Sequence, residues 1–388
     1  MKTLTWVLSA LIAISLSALP DEDPAKYWDF SKLQTAPAFV DDGPSAASHP
    51  DLREIIYDGV VENGKVTKTF AYIGIPKGEM PEGGWPAIVL VHGGGGTAYA
   101  WAVELWMSYG YAVIAPDWYG KRPGTNDVTK EIHSPDRTWV AAERTHSYTE
   151  VDCHVTNVAN LILAHSLLRS LPEVNPDKTA YVGLSWGSWY GAMVTAVDNR
   201  FKGMLQIYLG VRDEADTRFI DGRFLHAAKN PMYYVVGTND YHGHPEIMQK
   251  GFETCGSMLG NKTMIMRLPH GHVGFTYEPC RRHVDAMLKG EPNLPILGKT
   301  TVKKDRISAE ITDPGKGVKW VYLYYTKSDN SVRRDRQWER VRVESFKRND
   351  KKISAQIPAG TTQCFLAAYD EFNLDRMCCG TGDVITFK

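Results

Sequence analysis

The stretch DKTAYVGLSWGSWYGAMV (residues 177–194) places Ser185 between Gly183 and Gly187, where an apolar segment gives way to a helical one. Residues 178–184 predict a buried strand, and the residues that follow predict a helix. In a Gly-x-Ser-x-Gly turn from strand to helix, small residues let neighbouring backbones approach closely, and the serine hydroxyl projects above the sheet. We therefore interpret Ser185 as a nucleophile. The alternative is a small buried serine at a tight turn.

The segments around this turn predict two domains, as a chain of 388 residues allows. From residue 86 to residue 289, apolar strands alternate with helical segments. This rhythm predicts an α/β fold with a doubly wound, mostly parallel sheet that carries helices on both faces. Short alternating strands then recur to the C-terminus and predict an all-β sandwich of immunoglobulin-like type. We place the first domain at 51–292 and the sandwich at 300–388.

The N-terminus has the composition of an export signal. One lysine precedes an apolar stretch of 13 residues and then small residues near position 18. We interpret residues 1–18 as a signal peptide and residues 19–50 as an extended lead-in. The apolar stretch is short for a membrane span, so we expect no stable membrane insertion after cleavage and a secreted or periplasmic protein. The alternative is a buried N-terminal helix.

The overall charge bears on whether the protein binds nucleic acid. The net charge is −1, which gives no reason to expect binding to nucleic acid. One local exception is residues 327–352, which hold ten Lys or Arg and five Asp or Glu residues. This segment is either a solvated strand face or a contact for an anionic glycan. The oligomeric state does not follow from these features.

A nucleophilic serine needs a base, and the base needs an orienting acid. In a fold of this kind the acid and then the histidine follow the serine along the chain. Asp240 ends the apolar strand YYVVGTND and is the predicted acid. We place the base at His272, because Gly271 and Gly274 give its loop freedom to turn back over the sheet. His270, directly after Pro269 at the strand end, is the alternative base.

The loop HGGGG (92–96) follows the strand AIVLV and supplies candidate oxyanion donors. Glycines let backbone N–H groups turn towards a substrate with no side chain in the way. We predict an oxyanion hole formed by the N–H groups of Trp186, Gly94 and Gly95. Phosphate binding by the same loop is the alternative, but the chain lacks the lysine and glycine spacing of the known phosphate motifs.

Two His-Gly-His sequences, at 242–244 and 270–272, could ligate zinc. Both lie where the acid and the base of a triad belong, so we predict no metal and no cofactor. Asp117 also follows a strand, but it precedes Ser185, and we interpret it as structural.

Cysteine pairing cannot be deduced from the sequence, although an exported chain can form disulfides. Pairing of Cys255 with Cys280, and of Cys364 with Cys378 or Cys379, is one reading. Unpaired buried thiols are the other.

Together HGGGG, GLSWG, GTND and LPHGH resemble the α/β-hydrolase superfamily over residues 50–290. ANLILAHSLLRSLPEVNPDKTAYVGLSWG (159–187) and VDNRFKGMLQIYLG (197–210) resemble exported bacterial proteins of the acetylxylan esterase and dienelactone hydrolase group. The resemblance implies a cofactor-free serine esterase that removes acyl groups from a polysaccharide or oligosaccharide. Trp186 departs from the group, which commonly has Tyr or Gln at that position.

Aromatic side chains near the predicted cleft suggest sugar binding, because ring faces stack on sugars. We name Trp186, Trp118 and Tyr119 as candidate substrate contacts, with core packing as the alternative for most aromatic residues there. Two other functions remain open. One is a serine peptidase of the prolyl oligopeptidase type, although the long propeller that usually precedes such a domain is missing. The other is a non-catalytic carbohydrate-binding protein.

Overall fold

A computed structural model gives the architecture. It describes residues 19–44, 49–124, 138–139, 151–208, 211, 219–240, 242–328, 333–371 and 378–387. The predicted signal peptide lies outside the described residues. In the part of the chain that is described, no helix has both the length and the apolar character needed to cross a bilayer.

The described residues in the N-terminal two thirds of the chain form the first eleven strands and five helices. The strands are β1 Phe39–Pro44, β2 Leu52–Glu62, β3 Lys65–Gly74, β4 Trp85–Val91, β5 Ala112–Pro116, β6 Lys121–Arg122, β7 Thr138–Trp139, β8 Val174–Leu184, β9 Gly203–Ile207, β10 Met232–Gly237 and β11 Leu259–Ile265. The helices are α1 Ala100–Ser108, α2 Val151–Ser170, α3 Trp186–Val197, α4 Pro245–Cys255 and α5 Glu278–Lys289. Short 3-10 turns cover Pro24–Lys26, Phe30–Lys32, Leu225–Ala227, Gly256–Met258 and His272–Thr276.

Nine of these strands form one sheet in the order β1-β2-β3-β5-β4-β8-β9-β10-β11. The six strands from β5 to β11 in this order are parallel, and β1, β2 and β3 pair antiparallel at one edge. Because crossovers between parallel strands are right-handed, the reversal of strand order at β4 places α1 on one face and α2, α3 and α4 on the other. The predicted doubly wound α/β-hydrolase fold is confirmed.

In the part of the C-terminal third that the structure describes, nine further strands make two antiparallel sheets. They are β12 Ile296–Leu297, β13 Thr301–Lys303, β14 Arg306–Asp313, β15 Trp320–Thr326, β16 Trp338–Arg342, β17 Lys352–Gln356, β18 Gln363–Tyr369, β19 Cys379–Thr381 and β20 Ile385–Thr386. One sheet contains β12, β13, β14 and β17, and the other contains β15, β16, β18, β19 and β20. The arrangement agrees with the predicted β-sandwich. The boundaries 51–292 and 300–388 stay a prediction.

Strand β18 shows how the sandwich joins the rest of the molecule. Alternate residues of a strand point to opposite faces of its sheet. Leu366 and Ala368 pack into the sandwich core, whereas Phe365 and Ala367 belong to the core that contains the large sheet. The whole of β18 is buried. The sandwich therefore shares a hydrophobic core with the nine-stranded sheet.

The N-terminal lead-in is more structured than an extended segment. It contains two 3-10 turns and strand β1, and it buries Trp28 and Leu33. The Trp28 indole N–H donates a hydrogen bond to the carbonyl oxygen of Val155 on α2 at 2.9 Å. The segment thus packs on the helical layer.

Candidate active site

Ser185 lies at the turn between β8 and α3, in a backbone conformation that few side chains adopt. Its φ is 54° and its ψ is −113°. Such strain persists only where the surroundings fix it, and it is common at functional sites. The two flanking glycines are required by contact: a Cβ on Gly183 would lie 2.4 Å from the carbonyl oxygen of Gly187, and one on Gly187 would lie 2.3 Å from that of Val91.

Three side chains from three strand ends meet at this turn. The Nε2 atom of His270 lies 2.9 Å from the Ser185 hydroxyl oxygen, and its Nδ1 atom lies 2.6 Å from a carboxylate oxygen of Asp240. The other carboxylate oxygen of Asp240 accepts a hydrogen bond from the backbone N–H of His242 at 3.0 Å. The Asp240 side chain is fully buried, whereas that of His270 is 21% exposed. The acid is fixed, and the imidazole faces the solvent side.

The prediction that placed the base at His272 is wrong. The alternative base, His270, lies between Ser185 and Asp240. The imidazole of His272 is buried under the glycine loop. Its Nε2 atom accepts a hydrogen bond from the backbone N–H of Gly93 at 3.0 Å, and its Nδ1 atom lies 3.4 Å from the Tyr99 hydroxyl. The chain does not need the extra turn that the prediction assumed, because His270 already reaches Ser185 from the strand end.

Tyr208 lies behind His270, and no sequence pattern predicted a role for it. Its ring stacks on the imidazole with a centroid separation of 4.5 Å and an interplanar angle of 22°. Its hydroxyl donates to the carbonyl oxygen of Gly271 at 2.9 Å. Tyr208 follows β9 directly and has a φ of 77°. Burial raises the pKa of the Tyr208 phenol, so the group stays a neutral donor. A tyrosine at a strand end has no periodicity that would have identified it.

The glycine loop is held by a hydrogen bond at nearly every residue. The N–H of Gly93 donates to His272, that of Gly95 donates to the Tyr119 hydroxyl at 3.0 Å, and that of Gly96 donates to the Gly93 carbonyl. Gly95 is therefore a wrong prediction for the oxyanion hole, because its N–H already has an acceptor. Among the described atoms, the N–H of Gly94 has no acceptor.

Gly94 also lies against the residue that follows the serine. A Cβ on Gly94 would lie 2.4 Å from Cδ1 of Trp186, so only glycine fits beside this indole. Trp186 is the first residue of α3, where backbone N–H groups have no acceptor within the helix. The structure thus brings together two of the three predicted oxyanion donors, Trp186 and Gly94.

The aromatic candidates differ in exposure. Trp118 is 2% exposed, and its indole N–H donates to the carbonyl oxygen of His92 at 3.0 Å. The prediction that Trp118 contacts substrate is therefore wrong, since its ring is packed beneath the loop. Tyr119 and Trp186 are partly exposed. His154 stacks on the inner side of the Trp186 ring, with an interplanar angle of 6°.

Asp117 is structural, as its position before Ser185 in the chain suggested. It is fully buried and accepts hydrogen bonds from the Thr97 hydroxyl at 2.7 Å and from the Tyr119 backbone N–H at 3.0 Å. These bonds join the glycine loop to the turn after β5. Asp117 thus supports the loop that carries Gly94.

The described residues contain no group of three His, Cys, Asp or Glu side chains that could hold a metal ion. All six cysteines are buried, and none of them forms a disulfide in the described structure. Burial raises the pKa of the Cys255 thiol to about 11 and that of Cys364 to about 12, which leaves both protonated at neutral pH. These thiols pack as small apolar groups.

A groove opens beside the imidazole and runs between the large sheet and the sandwich. Its volume is about 610 Å³. Asp240, His270 and Arg267 line one side, and Arg334, Asp335 and Gln337 of the sandwich line the other. We call it the His270 groove. The sandwich therefore contributes directly to the surroundings of the site.

A family model described as the alpha/beta hydrolase family matches residues 88–253, which include the glycine loop, the serine turn and Asp240. This segment of the chain therefore matches the α/β-hydrolase family. Solved structures agree with an α/β-hydrolase fold. An acetyl xylan esterase from Paenibacillus sp. R4 is 18% identical, covers 70% of this chain and 96% of its own, and has a TM-score of 0.51.

Two more solved structures are similar at lower scores. Acetyl xylan esterase 1 from Thermoanaerobacterium sp. JW/SL YS485 is 14% identical over 66% of this chain and 90% of its own, with a TM-score of 0.47. A glucuronoyl esterase from Solibacter usitatus is 10% identical over 72% of this chain and 99% of its own, also with a TM-score of 0.47. No curated protein matches the sequence.

Proposed function

We propose that the protein is a serine carboxylesterase that uses Ser185, His270 and Asp240 as its catalytic triad. One observation carries the proposal: His270 lies within hydrogen-bond distance of both the Ser185 hydroxyl, at 2.9 Å, and the Asp240 carboxylate, at 2.6 Å. A serine hydroxyl becomes nucleophilic when a base can take its proton, and the base works when an acid fixes its tautomer. The strained turn at Ser185 supports the same role.

The reaction begins when the Ser185 oxygen attacks the ester carbonyl carbon. His270 Nε2 takes the hydroxyl proton, while Asp240 accepts the Nδ1 proton in a hydrogen bond and stabilises the imidazolium. The carbon–oxygen bond to the alcohol then breaks, and His270 returns the proton to the leaving oxygen. Water attacks the acyl-serine by the same route, which releases the acid and restores Ser185.

The negative oxygen of each tetrahedral intermediate needs two donors. The N–H groups of Trp186 and Gly94 are our candidates. Trp186 stands at the N-terminus of α3, where the helix dipole favours negative charge. Gly94 lies against the Trp186 ring, and none of the backbone hydrogen bonds among the described residues uses its N–H as donor. The bond from Gly93 to His272 fixes the loop that presents Gly94.

The proposed substrate is an acylated polysaccharide or oligosaccharide, and an acetyl ester is the first choice. Trp186 and Tyr119 are partly exposed and both contact the glycine loop, which supports sugar stacking on their rings. The sequence resemblance to exported acetylxylan esterases supports the acetyl group. We also propose that the protein is exported through the N-terminal signal. N-terminal sequencing of the mature chain should then find a start near residue 18.

The test compares wild type and Ser185→Ala on 4-nitrophenyl acetate, acetylated xylan, a feruloylated sugar and a dipeptide amide. Ser185→Ala should lose at least about 10⁴-fold in kcat, with an unchanged melting curve. The matched control, Ser108→Ala at the exposed end of α1, should keep full activity. Retained esterase activity in Ser185→Ala would refute the nucleophile, and a preference for the amide would favour a peptidase.

A further inference from the structure

Two hydrogen bonds from one side chain hold the sandwich segment 333–337 beside the proposed catalytic acid. The side-chain amide of Asn239, the residue before Asp240, donates to the carbonyl oxygens of Arg334 and Arg336 at 2.8 and 3.0 Å. Two such bonds fix the segment relative to the end of β10. The position of Arg334 is therefore set by the same loop that carries Asp240.

A second, deeper contact holds the same segment. The Arg336 guanidinium is fully buried and makes a two-pronged contact with the Glu246 carboxylate, at 2.9 and 2.7 Å. It also donates to the side chain of Gln363 at 2.7 Å. Breaking a buried pair of this kind is costly, so the segment does not move freely away from α4. The wall of the His270 groove that the sandwich supplies is thus rigid.

Among the exposed charges that line this groove, two are positive and one is negative. Arg267 and Arg334 supply two exposed guanidinium groups, and Asp335 supplies one exposed carboxylate. The Asp240 carboxylate also borders the groove, but it is buried and faces His270. A ligand in the groove therefore meets more positive than negative charge.

The backbone of Arg267 is also in an unusual conformation. Its φ is 55°, in the left-handed region that residues other than glycine seldom adopt. The Arg267 N–H donates to the Thr238 hydroxyl at 3.1 Å, and its guanidinium donates to the side chain of Gln337 across the groove. Backbone strain of this kind is common at active sites and at sites that hold a ligand. Arg267 lines the groove.

We propose that the His270 groove is a subsite for an anionic group of the substrate, a carboxylate or a sulfate on a sugar next to the acylated one. Guanidinium groups bind both anions through paired N–H donors. The groove begins at His270, so a glycan whose ester lies at Ser185 can extend into it. The proposal rests on the proposed esterase function, and it gives the sandwich a role in substrate choice.

The kinetic test uses three acetylated xylo-oligosaccharides of equal length: one neutral, one with a uronic acid branch and one with a sulfate. Wild type should prefer the anionic substrates. Arg267→Gln and Arg334→Gln should each lower kcat/KM for them by about tenfold and leave the neutral substrate within twofold. Arg306→Gln, an exposed arginine on the far sheet of the sandwich, is the matched control and should change nothing.

The two anionic substrates distinguish the sources of charge, since preference for one of them assigns the subsite to a carboxylate or to a sulfate. Equal kcat/KM for all three substrates in wild type, or equal losses on the neutral substrate in the variants, would overturn the proposal. Binding of the same oligosaccharides to Ser185→Ala separates this failure from failure of the esterase assignment. Anion-selective binding that weakens with salt and requires Arg267 supports the subsite even if no ester is hydrolysed.

Discussion

The Nε2 atom of His272 accepts a hydrogen bond from the backbone N–H of Gly93 at 3.0 Å. An acceptor nitrogen carries no proton, so the neutral ring has its proton on Nδ1, towards the Tyr99 hydroxyl. A Cβ on Gly96 would lie 2.5 Å from the same Nε2 atom. His272 is therefore enclosed by the glycine loop and acts as a positioning residue for it.

The two histidines should have different mutant phenotypes. His270→Ala removes the proposed base and should lower kcat by at least about 10⁴-fold with little change in thermal stability. His272→Ala leaves the base in place but releases the Gly93 N–H. We expect a loss of about 10²-fold together with a lower melting temperature. Steady-state kinetics on 4-nitrophenyl acetate and thermal melts of both variants measure this. Near-normal activity of His270→Ala beside an inactive His272→Ala would reverse the assignment.

Tyr208 should affect turnover more than substrate binding. Tyr208→Phe keeps the ring that stacks on His270 but removes the bond to the Gly271 carbonyl, so kcat should fall by about tenfold with KM unchanged. Tyr208→Ala removes the stacking as well and should cost more in kcat and in stability. The separate measurement of kcat and KM checks this prediction. A Phe variant as impaired as the Ala variant would contradict the role given to the stacked ring.

Gly94→Ala should damage the proposed oxyanion hole through a steric clash. The new Cβ would lie 2.4 Å from the Trp186 ring, so loop or indole must move. Loss of one aligned donor costs about 10²- to 10³-fold in kcat. The double variant Gly94→Ala/Trp186→Ala removes the clashing ring and should recover part of the loss. A double variant no better than Gly94→Ala would show that the clash is not the cause.

The serine turn was predictable because its glycines are required by contacts close to them in the sequence. Gly183 and Gly187 allow backbone contacts within a few residues of Ser185, and Asp240 follows from the order of strands. The choice between His270 and His272 was not predictable, since it depends on where Tyr208 and Tyr99 lie. Both tyrosines are distant in sequence from the two histidines. Burial of Trp118 and the bond from Gly95 to Tyr119 likewise depend on tertiary packing.

The two sheets of the sandwich were predictable from alternating residues, but their attachment to the larger sheet was not. Arg336 and Glu246 lie ninety residues apart, and both read as ordinary surface charges. Nothing local distinguishes Arg336 from its neighbours in a basic segment. Only the folded chain shows that its guanidinium is fully buried.

Removing one partner of the Arg336–Glu246 pair should destabilise the fold more than replacing both partners. Burial alone would raise the pKa of Glu246, but hydrogen bonds from Arg336 and Gln363, together with the nearby His244 imidazole, outweigh it and lower that pKa. Glu246→Ala leaves a buried guanidinium unpaired and should cost about 3–5 kcal/mol in unfolding free energy. The double variant Arg336→Met/Glu246→Leu should cost less. Urea unfolding of both measures the difference, and a double variant less stable than Glu246→Ala would contradict the explanation.

Two buried histidines outside the site should make the fold sensitive to mild acid. Burial lowers the pKa of His165 to about 4 and that of His283 to about 3. The unfolded chain binds protons near pH 6.5 and the folded protein does not, so stability is full above that pH and falls as pH decreases. The loss should reach roughly 2 kcal/mol for each histidine at pH 5.

Urea unfolding between pH 7 and pH 5, above the ordinary pKa values of carboxylates, isolates this effect. His165 bonds to Asp198 and Thr179, both at 2.8 Å, and packs on Phe201. His165→Gln should therefore be less stable at pH 7 but lose less stability on acidification than wild type. The exposed His226→Gln is the control and should keep the wild-type slope. An unfolding free energy of wild type that stays constant from pH 7 to pH 5 would refute the prediction, because both imidazoles would then titrate alike in the folded and unfolded chains.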